Sequence, residues 1–285
     1  MNKVKIICDS TIDFTKEMYE KYDIEVAPLN VAFKQEETVY LDGINIDCES
    51  LYQKVEKYKE TPKTSAVNVG TWVELYNKYI ELGYDILVMT ISSELSSCFQ
   101  NANIAAGEFE EGRIFVVDGK SLSTGSGLLV LKMVEYRDQN LSAKEIFEKV
   151  SLLAPKVNAK FCLDRLDYLH NGGRCSGLSM LVAHALHIHP VLKLINGKII
   201  VYKKVRGFYS KAMDEQIEEL KNNIENVDTS HIFITASNNP SEDVDYIKNK
   251  LIEFIPEENI IITYAGCTIC SHCGPKTIGI LYLSK

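Results

Sequence analysis

The chain has 285 residues, of which 46% are hydrophobic and 25% charged, the composition of an ordinary globular protein. This length can bury one large core or two modest ones, and we expect two lobes. The 39 acidic residues outnumber the 31 basic ones and give a formal charge of -8. That balance argues against a protein whose main partner is nucleic acid or an anionic membrane.

The sequence also carries no recognisable targeting segment. No run of about 18 apolar residues occurs, so no membrane-spanning helix is predicted. The start, MNKVKIICDS, has a short apolar run that ends at Asp9, which is typical of a first strand rather than a signal peptide. Because no secretory signal is present, the eight irregularly spaced cysteines indicate reduced thiols, and we expect a cytoplasmic protein.

In the first half of the chain, short β-rich runs alternate with helical periodicity, which is typical of an α/β fold. Strands are predicted at residues 4–8, 26–33, 38–41, 85–90 and 113–117. Helices are predicted at residues 15–21, 49–58, 71–82, 98–107, 125–137 and 143–153. Residues 61–65 are predicted to form a turn. The first lobe is expected to cover residues 1–155.

The second lobe, residues 156–285, is predicted as a mixed α/β unit. Its strands are expected at residues 159–163, 190–194, 198–201, 231–235, 260–264 and 277–283. Its helices are expected just before Gly172-Gly173 and at residues 207–223 and 241–254. Asn196-Gly197 between two of the strands is a strong hairpin signal. Since no flexible linker separates the lobes, we expect them to pack closely.

Hydroxyl residues recur at four predicted junctions in the first lobe. The four junctions are Ser10-Thr11, Thr64-Ser65, Ser92 to Ser97, and Ser121 to Ser123. Such junctions face one crevice in a parallel sheet, and helix amino ends there favour an anion. Each hydroxyl alone could merely cap its helix, but four together favour a ligand. The sequence has no glycine-rich phosphate loop, so a single carboxylate fits better than a di- or triphosphate.

Two other hypotheses remain open from the residues alone. A serine-dependent hydrolase or acyltransferase acting on acyl esters could use the hydroxyl crevice, although no G-x-S-x-G turn is present. A metal-binding regulatory protein could use Cys267, Cys270 and Cys273, but Thr277 stands where a ferredoxin-type fourth cysteine would be. We therefore expect no metal, and expect these cysteines to be small apolar or loop thiols. His184, His187 and His189 are interpreted as a surface or interface group.

Several short motifs follow one another in a characteristic order. They are DSTID at 9–13, DG at 42–43, TS at 64–65, SSELS at 92–96, YLHNGGR at 168–174, VRG at 205–207, HCGP at 272–275 and IGI at 278–280. Together they resemble the DegV family, the fatty-acid-binding component of bacterial fatty acid kinase systems. The resemblance covers essentially the whole chain.

The resemblance implies a two-lobed DegV-like fold with a lipid tunnel between a Rossmann-like parallel-sheet lobe and a mixed α/β lobe. It assigns the fatty acid carboxylate to Thr64 and Ser96. Ser65, Ser97 and Ser10 are further candidates for carboxylate binding. Arg174, His272 and Arg206 are implied in partner docking or support of phosphotransfer. No catalytic residue, metal or cofactor is expected, only a bound long-chain fatty acid.

The implied function is that of a carrier rather than an enzyme. A fatty acid kinase catalytic subunit would phosphorylate the bound acid to an acyl phosphate for phospholipid synthesis. An acyl-phosphate acyltransferase and transient membrane contact are further implied partners, and nucleic acid is not. The chain departs from the family pattern at Ser97, Gly119 and Lys276, where glycine, serine and glycine are usual. Residues 66–68 (AVN) also replace the usual QPS after the TS motif.

Overall fold

The computed structural model describes residues 3–175 and 188–285. Its strands are β1 Lys3–Asp9, β2 Ile24–Ala27, β3 Asn30–Ala32, β4 Val39–Leu41, β5 Lys63–Ser65, β6 Tyr84–Thr90, β7 Ile114–Asp118, β8 Val157–Leu163, β9 Ile188–Ile195, β10 Lys198–Arg206, β11 Val227–Ser237, β12 Ile260–Tyr264 and β13 Thr277–Ser284. Its α-helices are α1 Lys16–Lys21, α2 Cys48–Tyr58, α3 Val69–Glu81, α4 Cys98–Ala106, α5 Thr124–Asp138, α6 Ala143–Leu153, α7 Asp167–Gly172, α8 Tyr209–Asn222, α9 Ser241–Leu251 and α10 Cys267–Cys273. His184 and His187 of the predicted histidine group lie outside the described residues.

The first lobe contains a four-stranded parallel sheet with the order β2-β1-β6-β7. The chain leaves β1 in one direction to form β2 and returns on the other side to form β6. The strand order therefore reverses between β1 and β6, and ligands of open α/β sheets bind beyond the carboxyl ends of strands at such a point. Here those ends are Asp9 and Thr90, which precede the predicted hydroxyl junctions.

The second lobe contains a six-stranded mixed sheet with the order β10-β9-β8-β13-β11-β12. Its pairs are antiparallel except for β11 and β12, which run parallel. The predicted α/β class, with a parallel sheet followed by a mixed sheet, is confirmed. A small antiparallel sheet, β4-β3-β5, is additional and brings Thr64 opposite Val31.

Helix α5 is the layer that joins the two large sheets. It packs against β1 and β6 on one side and against β8, β11 and β13 on the other. Its first eleven residues are almost all buried, and it has no polar stripe, as expected for a helix covered on every side. One continuous cluster of buried apolar side chains consequently runs from Ile6 through Leu129 to Phe161 and Leu281. The lobe boundary at residues 155 and 156 stays a prediction.

Three local predictions need correction. Residues 61–65 are not simply a turn, because Lys63–Ser65 forms β5 and pairs with β3. Residues 26–33 form two strands instead of one, since the chain leaves the parallel sheet at Pro28, which cannot donate a backbone hydrogen bond. The cysteines of the run are buried, as expected for small apolar thiols, but they lie in helix α10 and not in a loop. All but one of the seven residues of this helix are buried, so it shows no amphipathic period.

Among the described residues, none of the helices is both long and apolar enough to pass through a bilayer.

Replacing Gly127 in α5 with alanine should destabilise the protein. A Cβ at this position would lie 2.5 Å from the ring of Phe14, which stacks on Phe233. We expect a loss of about 1–3 kcal/mol in the free energy of unfolding, despite the better helix propensity of alanine. Urea denaturation measures this loss. The double variant with Phe14→Leu should lose less than the sum of the two single variants, and strict additivity would contradict the contact.

Candidate functional site

Two buried carboxylates from the first lobe hold the start of helix α10. Asp42 accepts hydrogen bonds from the backbone N–H groups of Cys267 at 2.7 Å and Thr268 at 3.1 Å. Asp13 accepts from the N–H of Gly266 at 2.8 Å. The first N–H groups of a helix have no partner within the helix and carry partial positive charge, so anionic acceptors suit them. These bonds fix α10 against the first lobe.

Hydroxyl groups complete this anchor. Ser10 donates to Asp42 at 2.9 Å and accepts from the backbone N–H of Leu29 at 3.1 Å, while Ser123 donates to Asp13. Burial raises the pKa of Asp13 well above its usual value; the bonds from Ser123 and Gly266 oppose this shift, and the charge of Asp42 adds to it. Ser10 is thus committed to the anchor. Its predicted role as a direct ligand of a fatty acid carboxylate is not supported by this position.

Helix α10 places His272 against Thr64 of β5. The Thr64 Oγ1 and His272 Nε2 atoms are 2.8 Å apart. Burial lowers the pKa of His272 to about 4, and the positive charges of Arg174 and Lys63 contribute to the shift. The imidazole is therefore neutral near pH 7, with a single N–H.

The proton of His272 is best placed on Nε2. Nδ1 is buried and has no hydrogen-bond partner within residues 3–175 and 188–285. An unpaired buried N–H is rarer than an unpaired acceptor, so Nδ1 is assigned as the bare nitrogen. Nε2–H then donates to Thr64, and the Thr64 hydroxyl keeps its own proton for another acceptor.

Gly172 makes room for this imidazole. A Cβ on Gly172 would collide with Nδ1 of His272. The next residue, Gly173, ends α7 in the left-handed conformation with φ of 69°, which favours glycine. The two glycines of the NGGR motif thus have different tasks, one steric and one conformational.

Thr64 and His272 stand at the polar end of a narrow cavity of about 50 Å³ between the lobes. Its polar wall is formed by Thr64, Ser65, Ser96, Arg174, Thr268 and His272, and its apolar wall by Leu29, Ala66, Ile91, Leu95, Leu122, Ile199, Ile269 and Cys273. An inner space of about 20 Å³ lies between α10 and the mixed sheet. Both spaces are lined by Leu122, Ile269 and Cys273, so they adjoin and outline one narrow, mainly apolar path.

The polar end also borders the protein surface. An outer groove shares Thr64, Ser96 and Arg174 with the cavity and extends to Ser97 and Asn103. Arg174 donates to the carbonyl oxygen of Gly172 at 2.6 Å, which holds its guanidinium at the boundary. A group bound at Thr64 would consequently lie within reach of a second molecule in the groove.

The predicted site residues are thus only partly brought together. Thr64, Ser65, Ser96, Arg174 and His272 line the cavity, and their ligand roles stay predictions. Ser97 is exposed and lines only the outer groove. Arg206 is exposed at the end of β10 and lines neither space. The anchoring roles of Asp13 and Asp42 were missed, although both lie in motifs that the sequence singled out.

The thiols of the cysteine run point in different directions. Cys273 lines the cavity, Cys267 lies 3.4 Å from the carbonyl oxygen of Ile46, and Cys270 faces Cys48 of α2. Within the described ranges no group of three or more His, Cys, Asp or Glu residues is arranged to hold a metal ion. His189 lies 3.6 Å from Asp164 and packs against Tyr209.

Two of the departures from the family pattern have a structural reading. Lys276 adopts φ of 54°, a left-handed conformation that favours glycine. Its carbonyl oxygen accepts from the Tyr209 hydroxyl at 2.7 Å and the Asp164 N–H at 3.2 Å, which holds the turn. Gly119 packs so tightly that a Cβ would lie 2.6 Å from the carbonyl oxygen of Thr90. Lys276 therefore occupies a left-handed turn position that favours glycine, and two hydrogen bonds to its carbonyl oxygen hold it there.

Asp42→Asn should destabilise the protein because it weakens the hydrogen bonds that hold the start of α10. The amide NH₂ would face backbone N–H groups in place of an acceptor oxygen, and the negative charge at the helix start would be lost. We expect the free energy of unfolding to fall by about 3 kcal/mol in chemical denaturation. Asp47→Asn is the matched control, because Asp47 is an exposed helix cap and asparagine caps equally well. Equal losses in the two variants would contradict the anchor.

The His272 imidazole should make stability depend on pH. Its pKa is about 4 in the folded chain, against 6.5 for an unperturbed histidine. Between these values only the unfolded chain binds the proton, so stability is lost as the pH falls from 6.5 towards 4. Between pH 7.5 and pH 5 the free energy of unfolding should fall by roughly 2 kcal/mol less for His272→Asn than for wild type, as measured by denaturant titrations. If wild type and His272→Asn lost the same stability over this pH range, the imidazole would not be shielded from protonation in the folded chain.

Comparisons with known proteins confirm the family resemblance. The sequence model of the DegV family, whose members are described as uncharacterised proteins, matches residues 3–285. A DegV domain-containing protein of Clostridium perfringens is 30% identical over 290 residues, which is 100% of both chains. A DegV family protein from Thermus thermophilus, whose structure is described as showing fatty acid binding, is similar over 100% of both chains. The TM-score is 0.90 and the sequence identity is 26%. A Thermotoga maritima protein, whose structure is described as revealing a fatty-acid-binding function, has a TM-score of 0.83 and 30% identity over 99% of this chain and 100% of its own. The chain therefore belongs to the DegV family.

Proposed function

We propose that this protein binds a long-chain fatty acid between its lobes and presents the carboxylate to a fatty acid kinase subunit. The observation that carries the proposal is the cavity itself, which has hydroxyl groups, the His272 imidazole and the Arg174 guanidinium at one end and mainly apolar side chains along its length. The descriptions of the solved relatives as fatty-acid-binding support the choice of ligand. The lobes would be residues 1–155 and 156–285.

The head group would be held by Thr64 and Ser96. Thr64 accepts from His272 and can donate its own proton to a carboxylate oxygen, and Ser96 lines the same end of the cavity. A hydrogen bond to a charged group contributes about 1.5–3 kcal/mol, against a similar cost of removing the carboxylate from water. The head group would therefore set orientation more than affinity.

The apolar tail would supply most of the affinity. It would run past Leu122, Ile269 and Cys273 into the inner space next to Phe161 and Leu281. Each buried methylene contributes about 0.8 kcal/mol, so a chain of roughly 14 methylenes gains on the order of 11 kcal/mol before association costs. Affinity should consequently depend strongly on acyl length.

Presentation to the kinase would take place through the outer groove. The groove meets the cavity at Thr64, Ser96 and Arg174, so the carboxylate would face the incoming subunit and its ATP. The neutral hydroxyls of Thr64 and Ser96 would orient the carboxylate, while the Arg174 guanidinium in the same wall is held by the carbonyl oxygen of Gly172. A carboxylate held mainly by neutral donors would keep an oxygen able to attack the γ-phosphate. Arg174 at the boundary would contact the partner or the phosphate, and His272 would position Thr64. The chain itself would contribute no catalytic group.

The hydrolase hypothesis lacks the required geometry. A serine nucleophile needs a histidine base that a carboxylate orients through its other nitrogen. Here His272 pairs with Thr64 and not with a serine, and its Nδ1 has no partner among the residues that the structure describes. This arrangement favours binding over turnover.

Ser96→Ala and Thr64→Val should weaken fatty acid binding and acyl-phosphate formation. Each variant loses one hydrogen bond to a charged head group, so we expect about a 10-fold or greater loss of affinity for oleate. Mass spectrometry of organic extracts and competition with a fluorescent fatty acid measure binding, and a kinase subunit with ATP tests presentation.

Ser97→Ala is the matched control, because Ser97 lies outside the cavity, and it should bind oleate like wild type. Normal occupancy and normal acyl-phosphate formation in both Thr64→Val and Ser96→Ala would refute the head-group assignment. Normal binding without acyl-phosphate formation by wild type would refute the kinase presentation alone.

A further inference from the structure

A pair of thiols lies behind the cavity, on the side of α10 that faces α2. The Cys48 and Cys270 sulfurs are 2.9 Å apart, although 222 positions separate them in the chain. Cys48 is the first residue of α2 and Cys270 lies in the middle of α10. The lipid-binding role proposed above uses neither residue.

The environment of the two sulfurs is polar and asymmetric. Cys48 lies 2.9 Å from the carbonyl oxygen of Ala265, and Cys270 lies 3.2 Å from the hydroxyl of Ser237. Burial alone would raise the pKa of Cys270, but hydrogen bonds from Cys48, Ser237 and Tyr52 outweigh it and lower the pKa below its usual value. Cys270 is fully buried, whereas Cys48 is only half-buried.

A surface pocket gives access to Cys48. It is lined by Cys48 and Cys267 together with the loop at residues 42–47 and Tyr264 to Gly266. A small oxidant that enters there meets Cys48 first and finds Cys270 directly behind it. Cys267 offers a second sulfur at this pocket, 3.4 Å from the carbonyl oxygen of Ile46. Its hydrogen bond with Cys48, followed by that of Cys270, raises the pKa of Cys48 well above its usual value.

We propose that Cys48 and Cys270 form a reversible intramolecular disulfide on exposure to a peroxide. The sulfurs must approach by roughly 0.9 Å to reach the length of a disulfide bond, about 2.0 Å, which is a small movement for two side chains. Reduction by a small dithiol would restore both thiols.

The reaction balances as one peroxide and two thiols giving one disulfide and two waters. The Cys48 sulfur attacks a peroxide oxygen, the O–O bond breaks, and the thiol proton leaves with the departing oxygen as water. Cys48 is then a sulfenic acid. The Cys270 sulfur attacks it, the S–S bond forms, the S–O bond breaks, and hydroxide leaves with the Cys270 proton as the second water.

The experiment treats the full-length protein with hydrogen peroxide and measures intact mass and a non-reduced peptide map. Wild type should lose two hydrogen masses, yield a peptide pair linking Cys48 to Cys270, and recover its mass with dithiothreitol. A link across so long a loop restricts the unfolded chain, so the melting temperature should rise by roughly 5 °C on oxidation.

Four variants make the result specific. Cys48→Ser should trap no disulfide at Cys270, and its melting temperature should not respond to peroxide. Cys267→Ser and Cys175→Ser should behave as wild type, since neither sulfur belongs to the pair. The proposal would be overturned by a Cys48–Cys267 link in wild type or by a peroxide-induced disulfide of Cys48 in Cys270→Ser. Oxidation of wild type to sulfinic acid without any link would also overturn it.

Discussion

The structure depends on two buried carboxylates that cross from the first lobe to the start of helix α10. Removing the Asp13 and Asp42 carboxyl groups from water costs free energy, several kcal/mol for a charged group. The N–H groups of Gly266, Cys267 and Thr268, with two serine hydroxyls, offset that cost. The same bonds satisfy the N–H groups at the start of α10, so the buried carboxyl groups and the helix start stabilise each other. A helix of the second lobe is thereby fixed to the first.

That anchor determines what the cavity can do. Helix α10 carries Ile269 and Cys273 into the apolar path and His272 to the polar end, where β5 supplies Thr64. Helix α5 separates the two large sheets, and Leu122 just before it lines both parts of the path. The apolar space thus lies where the strand order of the parallel sheet reverses. The other side of α10 carries Cys270 towards α2, so one short helix serves both the cavity and the thiol pair.

Local sequence patterns predicted most of the regular structure. Alternation and helical periodicity placed β6, α6 and β12 within about one residue. Strand β6 buries a continuous apolar run and α6 buries one face, which is what such patterns detect. The pattern failed where burial has no period. Helix α10 is covered on nearly every side, and β5 is only three residues long and is set by its pairing with β3. Of the candidate ligands, Thr64, Ser96, Arg174 and His272 do line one cavity, but this grouping rested on family motifs.

The sequence alone determined the α/β class, the order of the elements and the absence of a phosphate loop, since these follow from composition, periodicity and local turn chemistry. Only the tertiary structure decided which hydroxyls face the cavity. Ser10 and Ser65 look alike in sequence, yet Ser10 is bound to Asp42 while Ser65 lines the cavity. It also decided that Cys270 meets Cys48 and not its neighbours in the cysteine run. The reason is physical: such contacts join residues far apart in the chain, and no local pattern records which distant groups will share a buried space.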